Sequence, residues 1–145
     1  EACVHHMMFS DQDYETLVTL IKWNPAIKTE ADRNAILQSL LEDRLDVIAT
    51  DHAPHTLMEK NNSYFKAPSG GPLVQHSLVA ILELYHEGKI RLEKIVEKMA
   101  HNPAIIFEIS QRGFIREGYY ADIVLVDLDQ PWTVDTYNIL YKCGW

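Results

Sequence analysis

Apolar residues fall along this chain in short blocks that follow two different periods. Residues 2–8, Ala2-Cys3-Val4-His5-His6-Met7-Met8, read as a short buried strand. Ser10-Asp11-Gln12-Asp13 can cap a helix running to about Leu20. Asn24-Pro25, inside "KWNPAIK" (22–28), breaks the pattern because a residue before proline avoids the α region. Thr29-x-x-Asp32 has the spacing of a capping box. Behind it Ile36, Leu37, Leu40 and Leu41 form a helical stripe that should end near Asp43. "LDVIAT" (45–50) is apolar on both faces, as expected for a parallel strand covered on each side. Strand, loop, helix and strand make a βαβ unit, so the expected class is α/β.

A polar loop follows, through Gly70-Gly71. Pro72 is placed to begin a helix whose Leu73, Leu78, Ile81, Leu82 and Tyr85 face a core, with Gly88 closing it. A further helix over about 91–100 carries Leu92, Ile95, Val96 and Met99. Asn102-Pro103 interrupts it, and "AIIFEI" resumes an apolar helix. In "GFIREGYYADIVLVDLD" (113–129) two glycine turns precede the run Ile123–Val126, which reads as a strand outside the βαβ pattern.

Composition narrows the class. At 145 residues, 47% hydrophobic and 23% charged, the chain has the content of one soluble globular domain. A formal charge of −8 argues against nucleic-acid binding. No apolar run approaches the roughly 20 residues that span a bilayer, and no signal peptide is visible. Cys3 and Cys143 have no metal-ligand spacing, which suits a reduced, cytoplasmic compartment. The chain opens without Met and stops without a terminating element, as a piece of a longer protein would.

The candidate chemistry sits where the second strand ends, at "DVIATDHAPHTLMEK" (46–60). Ligands of parallel α/β sheets bind at the carboxyl ends of strands, and Asp51 is the first acidic residue after this one. A carboxylate there can ligate a cation or act as a general base, and His55 lies one short turn away. Asp51 also suits a plain turn cap, and loop histidines are often only exposed. His5 and His6, read as neighbours on a strand, point to opposite faces and cannot both hold one metal. They, with His76, His86 and His101, read as structural. Asn24 is likewise more often a turn residue than a ligand contact.

These segments together resemble the class I dihydroorotases, zinc-dependent members of the amidohydrolase superfamily. "DVIATDHAPHTLMEK" is similar to their signature, "EACVHHMMF" to their seventh barrel strand and "KWNPAIK" to the Asn-Pro loop that follows. "KAPSGGPLVQHSL" is similar to the loop after the eighth strand, and "GFIREGYYADIVLVD" to the superfamily's C-terminal β segment. The resemblance implies the last two strands and helices of a (β/α)8 barrel over 1–110, and part of a composite β domain over 111–145. Asp51 would be both a metal ligand and the proton carrier. Asn24 and His55, with the backbone around Pro68 and Gly70, would hold the substrate. One or two Zn2+ ions are implied, with the other ligands expected upstream of residue 1. The substrate pair would be dihydroorotate and N-carbamoyl-L-aspartate, and the partners the family allows are a second copy of the chain and aspartate carbamoyltransferase. Pro25-Ala26-Ile27-Lys28 departs from the family's Pro-Pro-Leu-Arg, and Gly70-Gly71-Pro72-Leu73 from its Gly-Ile-Val-Gly. An allantoinase or hydantoinase, and a non-catalytic scaffold subunit, are the alternatives.

Overall fold

The computed structural model describes all of residues 1–145. Strands β1 (Ala2–Cys3) and β2 (Ile48–Ala49) pair in parallel, with Ala2 opposite Ile48 and Cys3 opposite Ala49. The parallel connection is the one expected, but both strands are shorter than their apolar runs. The first is not a strand over 2–8. It turns at Val4 into helix α1 (Val4–Met8), which the Phe9 amide closes by donating to the His5 carbonyl at 3.0 Å. A helical turn lets Val4, His5 and Met7 all be buried, where a strand would send neighbours to opposite faces. The second is not a strand over 45–50. Leu45 still donates to Ser39, inside the turn that ends the preceding helix, and Asp51 at φ 45° leaves the extended region.

A 3₁₀ turn at Asp11–Asp13 leads into α2 (Tyr14–Leu17), which stops short of Leu20 because Val18 takes φ 45°. Helix α3 (Glu30–Leu41) begins as its sequence predicts. The Asp32 amide donates to Thr29 Oγ1 at 3.3 Å, and the Thr29 amide donates to the Asp32 carboxylate at 3.1 Å. The region expected to be loop holds one helical turn, α4 (Leu57–Lys60), started by the same device between Thr56 and Glu59. Helix α5 (Ser77–His86) starts five residues later than Pro72. The Leu73 and Val74 amides instead donate to His52 Nδ1, each at 3.1 Å. Helices α6 (Leu92–Val96) and α7 (Asn102–Ile106) run on through a wide π turn at Glu97–His101. Asn102-Pro103 therefore does not interrupt the helix. Pro103 follows directly on the π turn, whose wider spacing accommodates a residue that has no N–H to donate.

The core gathers around the strand pair. Val4 and Met7 of α1, Leu40 of α3, Ile48 of β2 and Ile81 and Leu84 of α5 share one buried cluster. Each such side chain contributes on the order of 1.5–3 kcal/mol of burial. A smaller cluster of Ile21, Trp23 and Ile27 lies under the Asn24 loop. Lys98 and Lys94 both reach Asp43 Oδ1 at 2.7 Å, tying the π turn to the end of α3.

Beyond Ile106 the chain has no regular element. Ile123–Val126 is not a strand here. A strand needs a ladder partner for its N–H and C=O groups, and these four side chains stand exposed instead. The tail still packs back on the body. Gln75 bonds the backbone of Asn138 and Leu140 at 2.7 Å each, and the Trp145 indole donates to the His55 carbonyl at 2.7 Å.

Candidate active site

Three loops meet beyond the strand pair: 22–25, 51–55 and 67–71. The Gly70 amide donates to the Lys22 carbonyl at 2.9 Å, and the Ala53 amide to the Gly71 carbonyl at 3.2 Å. The close approach requires glycine. A Cβ on Gly70, which sits at φ 118°, would fall 2.6 Å from Ala53 Cβ, and one on Gly71 would fall 2.6 Å from the Trp23 ring.

Asp51 lies two residues beyond β2 at φ 45°, in the left-handed region, which aspartate tolerates better than most residues. Its exposed carboxylate has no hydrogen-bond or ion-pair partner. His55 is half-buried. Its Nε2–H donates to the Ser69 carbonyl at 3.1 Å, which ties the Asp51 loop to the Pro68–Gly70 loop and leaves Nδ1 unengaged. Asn24 is exposed at the tip of its loop, in a cis peptide with Pro25, whose carbonyl accepts from His6 Nε2 at 2.8 Å. The carbonyls of Pro68 and Gly70 already accept from Lys60. A carbonyl oxygen has two lone pairs, so each keeps one for a ligand. The residues singled out from the sequence thus lie on three loops that the structure cross-links.

Sequence reasoning missed the residues that make those links. Lys60 closes α4 with a fully buried side chain, and Nζ donates to the carbonyls of Lys22, Pro68 and Gly70 at 3.2, 3.1 and 2.9 Å. Burial, and then the charge of Lys22, push its pKa down to about 8. Lys22 Nζ reaches the carbonyls of Tyr64 and Ala67 at 2.6 Å each. The capping-box spacing of Thr56 and Glu59 was the available sign that Lys60 ends a helical turn. His52 fixes the start of the 73–76 turn through Nδ1, which places its proton on Nε2.

The strand argument about His5 and His6 does not hold, since both lie on α1 with ring centroids 4.2 Å apart. One donor atom each from Cys3, His5 and His6 lies within 4.8 Å of the others. A tetrahedral ion with bonds of about 2.0–2.3 Å spaces its donors roughly 3.3–3.8 Å apart, which that limit allows, but His5 is shut away from solvent. Cys3 is also a poor thiolate. Burial first, then the carboxylates of Glu1 and Asp51, push its thiol up to about 11. His5 is fully buried, stacked on Trp23 with centroids 4.4 Å apart, and neither ring nitrogen has a partner. Burial, and then His6, hold its pKa down to about 3, so the ring is neutral. His76 Nε2 bonds the Tyr141 hydroxyl at 2.9 Å, and His101 stacks on Phe114. For a metal, the exposed and unengaged Asp51 fits one ligand position, while a centre takes three or four protein ligands.

Residues 1–142 match the amidohydrolase family, whose members are generally metal-dependent. The dihydroorotase of Halobacterium salinarum is 37% identical over 145 residues, which cover all of this chain and 34% of that protein. The dihydroorotase of Pyrococcus furiosus is also 37% identical over 145 residues, 33% of its length. Among solved structures, the L-hydantoinase (dihydropyrimidinase) of Arthrobacter aurescens superposes with a TM-score of 0.87 at 25% identity, over 92% of this chain and 31% of that one. The dihydropyrimidinase of Brevibacillus agri, at 21% identity and a TM-score of 0.73, shares the fold. This chain spans about a third of the length of the curated relatives it matches. The family match covers nearly the whole chain, including all three converging loops, and on it the chain belongs to the amidohydrolase family.

Proposed function

We propose that the chain is part of a dihydroorotase, which interconverts dihydroorotate and N-carbamoyl-L-aspartate in pyrimidine synthesis. The observation that carries this reading is Asp51, an unengaged carboxylate at the end of β2 beside loops bearing Asn24 and His55. Relatives named dihydroorotase, 37% identical along the whole chain, support it. In this reading β1 and β2 are the last two strands of a (β/α)8 barrel, within residues 1–110. Residues 111–145 contribute to a β domain completed by other parts of the longer protein. The location is cytoplasmic, which is compatible with a chain in which no helix is long and apolar enough to cross a membrane. A homodimer and an association with aspartate carbamoyltransferase rest on the resemblance alone.

Hydrolysis adds water across the ring amide: a C–O bond forms at the carbonyl carbon, the C–N bond breaks, and one proton moves to the leaving nitrogen. Asp51 accepts that proton from the attacking water and returns it to nitrogen. Asn24 and the Nδ1 side of His55 hold the substrate's carboxylate and ring. Zinc, held by Asp51 and by ligands from outside this chain, would polarise the carbonyl and lower the pKa of water. The test is Asp51→Asn in the full-length enzyme, which should keep the fold and lose about 10²–10⁴-fold in dihydroorotate turnover. Near-parental turnover by a metal-loaded Asp51→Asn enzyme would sink the reading. The TM-score of 0.87 to an L-hydantoinase favours a hydantoinase as the second reading. Preference for hydantoins over dihydroorotate in the same assay would select it.

A further inference from the structure

We propose that Lys60, supported by Lys22, is a positioning residue whose ammonium group sets the distance between the Asn24 loop and the Pro68–Gly70 loop. The proposal rests on the dihydroorotase reading, in which those loops carry substrate contacts. Lys60 is 0% exposed, yet no carboxylate lies within ion-pair distance of it. Its three N–H donors are all used, on the carbonyls of Lys22, Pro68 and Gly70. The faces of Trp23 and Trp145, at 5.9 and 5.8 Å, add cation–π attraction.

Burying a cation without a counter-ion is costly, and an apolar side chain of similar volume would serve packing better. The three oxygens explain its presence. They converge on one point from two separate loops, and without a cation between them their dipoles repel. Lys22 extends the arrangement, taking Tyr64 and Ala67 of the same loop. The two lysines thereby fix the 64–70 segment at both ends against the segment that leads into Asn24. Lys60 does not act as a nucleophile, because its nitrogen is buried and its hydrogens are spent. Its depressed pKa follows from the same burial.

The experiment uses the full-length enzyme with Lys60→Met, which keeps the aliphatic stem and removes the ammonium. The KM for dihydroorotate should rise about tenfold or more while kcat changes far less, with metal content unchanged. Amide hydrogen exchange should speed up across residues 23–25 and 67–71. Parental KM with parental exchange overturns the proposal, and so does a fall in kcat with KM unmoved. Should Lys60→Met fail to fold, Lys22→Met carries the test. It should raise KM and speed exchange at 64–70, and parental values of both overturn the proposal. If the unsubstituted enzyme does not turn over dihydroorotate, the functional reading fails, while the exchange comparison still decides whether the lysines hold the loops.

Discussion

Lowering the pH should destabilise the full-length protein through His5. The ring is 0% exposed, stacked on Trp23, and neither nitrogen has a hydrogen-bond partner. Burial, and then His6, hold its folded pKa at about 3, below the ordinary value of 6.5. The unfolded chain therefore binds the proton first. Stability is complete above the unfolded pKa, begins to fall as pH drops below about 6.5, and keeps falling until about pH 3. At about pH 5 the unfolded histidine is protonated roughly 30 to 1 and the folded one hardly at all. The loss is then about 2 kcal/mol, at 1.36 kcal/mol per pH unit. The assay compares urea unfolding of the parent and of His5→Phe, which keeps an aromatic stack but cannot titrate, at about pH 7.5 and about pH 5 with a chelator present. The parent should lose about 2 kcal/mol more than the variant, because other titrating groups cancel. Equal losses, or a His5 ring resonance that titrates near pH 6, would refute the reasoning.

Asn24→Ala and His55→Ala should each weaken dihydroorotate use by roughly 1.5–3 kcal/mol with metal content unchanged, as expected for lost hydrogen bonds to a charged ligand. Loss of metal in either variant, or parental affinity for carbamoyl-aspartate in both, would contradict the assignment. The 145-residue chain alone should bind a hydrophobic dye, unfold without a sharp transition and hold no zinc tightly. Phe107, Ile115, Leu125 and Leu140 are all largely exposed, and Asp51 is one ligand by itself. A cooperatively folding, zinc-loaded monomer counts against it.

Local signals were legible where the partner lies a few residues away. Thr29 and Asp32 announced α3, Gly88 closed α5, and the apolar runs at both ends of the βαβ unit predicted a parallel pair. Strand length was not legible, because it depends on which backbone groups find partners across the sheet. Leu45 bonds back into a helical turn, and Ile123–Val126 finds no ladder. The Asp51 motif was readable as a candidate site. Its supports were not, because Lys60 and His52 act on carbonyls and amides at least eight residues away. The histidine pair went wrong for the same reason: nothing local distinguishes a strand from the buried helical turn that His5 completes.

The shortness of the strand pair bears on the order in which the molecule assembles. Pairing Ala2 with Ile48 closes about 46 residues of chain, an entropic penalty of about 3 kcal/mol before the fixed term. A ladder of two residues on each side returns only about 1 kcal/mol per hydrogen bond. Pairing is therefore not an initiating event. Helix α3 is stabilised locally by its cap and packs on α1, with Leu40 in the same cluster as Val4 and Met7, so docking of the two helices brings the strand ends together first. In chevron measurements on the full-length protein Leu40→Ala should then chiefly slow refolding, and Ile48→Val should chiefly speed unfolding. The opposite partition would mean that the parallel pair forms early and the helices follow it.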